Sequence, residues 1–189
     1  MNPVKVVLVT ALAGGISIGA AVLGQRWLDQ GADRDHHVGL RGGTLDQLPD
    51  FRLSDLGGRE HTSNAWAGRP LVLNFWAVWC PDCAEELPRL ERFASAHATT
   101  GLAVVAIAVD RPETTRAFLA EHPLDLTVLL ADLEAIDLAR RLGNRVEGLP
   151  FTVAFDARGR RIFSHTGVLD QAQFEQLAAR LADDPASAR

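Results

Sequence analysis

Apolar residues along the chain gather first in one long uncharged stretch, Val6 to Gly24, and afterwards in shorter blocks separated by turn residues. The first block has 19 residues. As a helix it would span ~28 Å, close to the ~30 Å hydrocarbon core of a bilayer, and it predicts a membrane anchor over residues 1–24. Lys5 and the amino terminus make the leading end positive, which favours holding that end in the cytoplasm and sending the rest across. The competing expectation is a cleaved signal peptide, because Gly19-Ala20-Ala21 offers a small-x-small site. Either way the remainder is exported. Gly15 and Gly19 form a GxxxG with Ala11 in line, a pattern that allows close approach of two helices.

Residues 25–44 mix Gly, Asp, Arg and His with no apolar period and read as a solvated linker. From residue 45 the pattern becomes that of a folded domain. Phe51 to Leu53 and Glu60 to Thr62 flank Asp55-Leu56-Gly57-Gly58, which predicts a hairpin, followed by a helical turn over Thr62 to Ala67. Leu71 to Val78 and Leu102 to Val109 are continuous apolar runs, as expected of strands covered on both faces. Pro81 to His97 reads as a helix, Glu113 to Glu121 as a shorter one, Leu126 to Leu130 as a strand, and Leu133 to Leu142 as a helix stopped by Gly143. Phe151 to Phe155 and Arg161 to Ser164 predict a second hairpin across Ala157-Arg158-Gly159, and Gln171 to Leu181 a closing helix. Strands that alternate with helices and end in a hairpin imply an α/β domain with a central mixed sheet and helices on both faces, over residues 45–183. Residues 184–189 read as a flexible tail.

Composition fits one such domain on a tether. The chain has 189 residues and a formal charge of −5, with acids and bases interspersed and no basic cluster, which argues against nucleic acid as a partner. Its two cysteines, Cys80 and Cys83, enclose Pro81 and Asp82 directly after an apolar strand. If Cys80 caps a helix and Pro81 opens it, Cys83 lies on the same face one turn on, and the two sulfurs can bond. Orphan amides and the helix dipole at Cys80 favour a thiolate there, below the ~8.5 of a free thiol. Cys80 is the predicted nucleophile and Cys83, on the stripe of Leu87, Leu90 and Ala94, the less exposed resolving thiol. Asp82 opposes the thiolate by its charge while favouring the helix start. A structural zinc site would need two of the scattered histidines at no matching spacing, so no metal is expected. A purely structural role is poor too, because so small a loop constrains the unfolded chain little.

FWAVWCPDC, the EGLP of Glu147 to Pro150, and the FTVAFDARGR after it resemble the TlpA-like branch of the thioredoxin superfamily, which includes membrane-anchored thiol-disulfide oxidoreductases of cytochrome c maturation. The resemblance covers Leu48 to about Leu181. It implies a thioredoxin-like fold with an N-terminal hairpin extension. It also implies that Trp79 flanks the nucleophile as a docking surface; Trp76, nearer the middle of the strand, is expected in the core. Pro150 would be the cis-proline opposite the disulfide, presenting the backbone of Leu149 to an incoming peptide. The strand position that holds a buried aspartate in thioredoxin is Asn74 here, and an amide cannot act as a base. Glu86 matches an acid that several relatives place in the helix. It lies three residues beyond Cys83, and burial would raise its pKa toward a range useful for proton transfer. The competing expectation is a solvated glutamate paired with Arg89 or Arg92.

These features together predict an extracytoplasmic protein-disulfide reductase, single-pass in the inner membrane with its catalytic domain in the periplasm. Its redox-active group would be the Cys80–Cys83 pair, with no bound cofactor. The resemblance implies disulfide-bearing clients, such as apocytochrome c or copper-site assembly proteins, and a transmembrane electron donor of the DsbD or CcdA type. A Cu(I) chaperone and a disulfide oxidase or isomerase are the alternatives. A thiol peroxidase is disfavoured because no PxxxTxxC motif occurs.

Overall fold

The computed structural model describes residues 44–131 and 133–182, with backbone alone at 133–135. The expected anchor, nearly all of the linker and the tail at 184–189 lie outside the described residues. Among the described residues no helix is long and apolar enough to cross a membrane.

Among the described residues seven strands form one mixed sheet: β1 (Arg52–Asp55), β2 (Glu60–Thr62), β3 (Leu71–Trp76), β4 (Ala103–Val109), β5 (Thr127–Ala131), β6 (Phe151–Phe155) and β7 (Arg161–Thr166). Their order across the sheet is β2-β1-β5-β4-β3-β6-β7. β3, β4 and β5 pair in parallel through helical crossovers, while β6, β7, β1 and β2 join antiparallel. The helices are α1 (Pro81–Ala96), α2 (Pro112–Glu121), α3 (Leu133–Arg141) and α4 (Gln171–Ala182), with a 3-10 turn at Ser63–Trp66. The expected thioredoxin-like architecture, including the N-terminal hairpin, is therefore present, and each element falls within a few residues of its expected bounds.

β3 is buried along its whole length because it has a neighbour on each side and helices on each face. Leu71, Leu73 and Phe75 point into one layer, against Trp66 and against Leu138, Ala139 and Leu142 at α3. Val72 faces the other layer with Leu90 and Phe93 of α1 and Leu177 and Leu181 of α4. Further along that same face Trp76 joins Cys83 and Leu87, with Phe118 and Leu119 of α2 packed against them. Each fully buried large side chain contributes roughly 1.5–3 kcal/mol, so Phe75→Ala, which also leaves a cavity, costs about 3–5 kcal/mol. The second layer is what seats the cysteine helix. It fixes α1 over the C-terminal end of β3, where the chain leaves the sheet.

Candidate active site

The chain passes from β3 to α1 through residues 77–80. Val78 N–H donates to Asp110 Oδ2 at 3.2 Å, and Asp110 Oδ1 accepts from Arg111 N–H at 2.8 Å, so one carboxylate at the end of β4 fixes this loop. Cys80 is the N-cap of α1, with extended backbone at φ −100° and ψ 102°, and Pro81 opens the first turn. The Cys83 amide, in the first turn of the helix, lies 3.2 Å from both Cys80 O and Cys80 Sγ. The two sulfurs are bonded, with their Cα atoms 5.3 Å apart. When the pair is reduced, the same amide and the positive end of the helix dipole favour a thiolate on Cys80. Asp82 stands exposed in that first turn. Both cysteines are largely covered, Cys80 at 5% exposure and Cys83 at 1%, in the order the sequence implies.

Trp79 is 68% exposed beside the disulfide, whereas Trp76 is fully buried. The neighbouring loop leads into β6, which pairs antiparallel with β3 at Phe75 and Phe151, so both loops lie at the same end of the sheet. The Leu149–Pro150 bond is cis, and Leu149 packs against the cluster that contains Cys80 and Cys83. Pro150 O accepts from Gly167 N–H at 2.8 Å. The loop is braced from within: Asn144 Nδ2 donates to Gly148 O at 2.9 Å, and Gly148 N–H returns a bond to Asn144 Oδ1 at 3.1 Å. Glycine is required at 148 because a Cβ there would come within 2.8 Å of Thr166 Cγ2. Asn144 and Asp110 carry little local signal in the sequence, each being a polar residue that borders a buried element.

Glu86 is 1% exposed on the buried face of α1. Its Oε1 accepts from Leu169 N–H at 2.6 Å and its Oε2 from Asn74 Nδ2 at 2.9 Å. Asn74 Nδ2 also donates to Thr152 Oγ1 at 2.9 Å. Desolvation pushes the Glu86 carboxyl above its ordinary range, against the opposing pull of the Leu169 amide, Asn74 and the Arg89 charge. The expectation of a solvated glutamate paired with Arg89 is overturned, since Arg89 pairs with Glu85 at 2.6 Å. Asn74, unable to carry a proton itself, orients the side chain that can.

The arrangement is a disulfide whose first sulfur caps a helix, with a flat apolar neighbour, a cis-proline loop and a buried acid on that helix. Residues 44–180 match the AhpC/TSA family. The chain belongs to that family. The chain is 32% identical over 143 residues to the thioredoxin-like protein YneN of Bacillus subtilis, covering 74% of this chain and 79% of the relative. It is 29% identical to the thiol-disulfide oxidoreductase ResA of Geobacillus thermodenitrificans, over 68% of this chain and 72% of that protein. Among solved structures, a putative thiol:disulfide interchange protein DsbE from Chlorobium tepidum superposes with a TM-score of 0.61 at 26% identity, covering 74% of this chain and 98% of the other. The family member described here is thus a thiol-disulfide oxidoreductase of the ResA and DsbE type, as the resemblance to the TlpA-like branch implies.

Proposed function

We propose that the chain works outside the cytoplasm, tethered by its N-terminal apolar segment, as a reductase of disulfides in client proteins. The observation that carries this reading is the pairing of a helix-capped Cys80 with a buried carboxylate, Glu86, one turn beyond Cys83. In the reduced enzyme the Cys80 thiolate attacks one sulfur of a client disulfide, forming a mixed disulfide and releasing the client's first thiolate. Glu86 then takes the Cys83 proton. The Cys83 thiolate attacks Cys80 Sγ, the Cys80–Cys83 bond forms, and the client's second sulfur leaves as a thiolate. Two electrons have passed from enzyme to client. Trp79 and the backbone at Leu149–Pro150 receive the client segment around its cysteine, while Pro81 and Asp82 tune the pair.

An oxidising compartment makes re-reduction the condition for turnover, and a transmembrane donor of the DsbD or CcdA type would supply the electrons. Clients of cytochrome c maturation, such as apocytochrome c, fit the kinship with the ResA and DsbE types. Copper-site assembly proteins are the other client class with paired cysteines. The test is the equilibrium potential of the Cys80–Cys83 couple against a defined thiol buffer. A value near that of thioredoxin, about −270 mV, supports the reductase, and one near −120 mV overturns it in favour of an oxidase. The roles of the sulfurs are tested by trapping. Cys83→Ala should hold clients on Cys80, and trapping by Cys80→Ala instead would reverse the assignment.

A further inference from the structure

Between β7 and α4 the chain makes a short connection, residues 167–170, that touches both halves of the redox site. Gly167 N–H holds the carbonyl of Pro150 in the client loop, and Leu169 N–H holds Oε1 of Glu86. The next residues form a reciprocal cap on α4. Asp170 Oδ1 accepts from Gln173 N–H at 2.8 Å, and Gln173 Oε1 accepts from Asp170 N–H at 2.7 Å. With its oxygen committed there, Gln173 turns its Nε2 toward His165, 3.1 Å from the ring nitrogens. His165 in turn occupies the sheet register of the site. It pairs across the strands with Thr152, and Thr152 with Asn74, which holds the other oxygen of Glu86.

We propose that His165 and Gln173 are positioning residues of the redox site: their hydrogen bond locks the 167–170 connection, and so keeps the Leu169 amide on Glu86 and the Gly167 amide on Pro150. Gln173 Nε2 is the donor of this contact and a ring nitrogen of His165 the acceptor. This inference rests on the reading of Glu86 as the proton acceptor for its function, but on the bonds alone for its geometry. Besides the cysteines, the charged or titratable groups on the elements around Glu86 are Asp82, Glu85, Arg89, Glu91 and Arg92 on α1, Arg161 and His165 on β7, Asp170 in the connection, and Glu175 and Arg180 on α4. β3 and β6 contribute only the Asn74 amide and the Thr152 hydroxyl.

The test follows the Glu86 carboxyl carbon by NMR titration of the full chain in its oxidised state, where the cysteines do not titrate. Loosening the lock weakens the Leu169 N–H bond to the carboxylate, which favours the protonated form. His165→Leu, which leaves the α4 cap intact, should move the Glu86 midpoint up by about half a pH unit. His165→Asn, which restores an acceptor, should keep it near the native value. His165→Val removes the same acceptor, with the α4 cap again intact, should His165→Leu not fold, and an unchanged midpoint in either folded variant overturns the proposal. Client reduction by Glu86→Gln separates the two claims, because an unchanged rate there would count against Glu86 as the proton acceptor without altering the titration result.

Discussion

Two carboxylates are buried among the described residues, at opposite ends of the sheet, and they are held in opposite ways. Asp156, at the β6–β7 turn, is 2% exposed and accepts three hydrogen bonds: from the amides of Arg158 and Arg160 and, at 2.7 Å, from Arg160 Nε. A cation touches it directly. Glu86, at the redox end, has one amide, one side-chain amide and no cation in contact, and burial raises its pKa. The first arrangement fixes a negative charge in place, and its value is structural. The second leaves the charge incompletely compensated, so the carboxyl holds its proton to a higher pH than an exposed one does. The same residue chemistry therefore closes a turn at one end of the sheet and leaves a carboxyl of raised pKa at the other, and the difference lies in how many donors reach the carboxylate.

Removing each carboxylate should break that contrast in different measurements. Asp156→Ala strips three bonds from a closed turn and is expected to cost about 3 kcal/mol in denaturant unfolding, discounted from the buried-pair range because Arg160 is half exposed, with thiol exchange per folded molecule unchanged. Glu86→Gln should slow Cys83-dependent resolution about 10²-fold, the usual scale for losing a positioned base. The same change should raise stability at neutral pH by roughly 1 kcal/mol, about 3 °C in Tm, because it removes an incompletely compensated buried charge. The buried Oδ1 of Asn74, which has no partner among the described residues, would then gain a donor if its amide turned over.

The pH dependence carries the sign of that second case. A carboxyl whose folded pKa is raised binds its proton more tightly in the folded state. Its contribution to stability is greatest below the ordinary carboxylate value and is lost as pH rises through the raised one. The stability gap between Glu86→Gln and the native chain should therefore widen from acid to neutral pH in parallel melts. The smallest effect belongs to the outer surface. Trp79→Ala should raise the KM for a protein client about fivefold, near 1 kcal/mol, while leaving the reduction of a small disulfide unchanged.

The strand and helix pattern was legible because each buried strand announces itself as an apolar run and each helix start carries a Pro or a capping residue. Pro81 beside Cys80 gave the redox end almost completely, down to the capping sulfur. The partners of Glu86 were not legible, since Leu169 lies 83 residues away and Asn74 reaches Thr152 across 78. Only the sheet order brings β6 beside β3, and no local property of the sequence encodes that pairing. The available signal was faint: Asn74 in LVLNFW and Thr152 in FTVAF are single polar residues in strands buried throughout. Two such residues must find partners, and here they find each other and Glu86. Asp156 and His165 gave still less, because a turn aspartate and an edge-strand histidine are common on solvated surfaces.

Proton acceptance by Glu86 is measured most directly in a single turnover. Cys80 is loaded with a small thiol as a mixed disulfide, and its release by Cys83 is followed across pH in the native chain and in Glu86→Gln. If Glu86 takes the Cys83 proton, the native rate falls as pH drops through the raised carboxyl pKa, and the variant is slow and lacks that inflection. Superimposable pH profiles for the two proteins would contradict it.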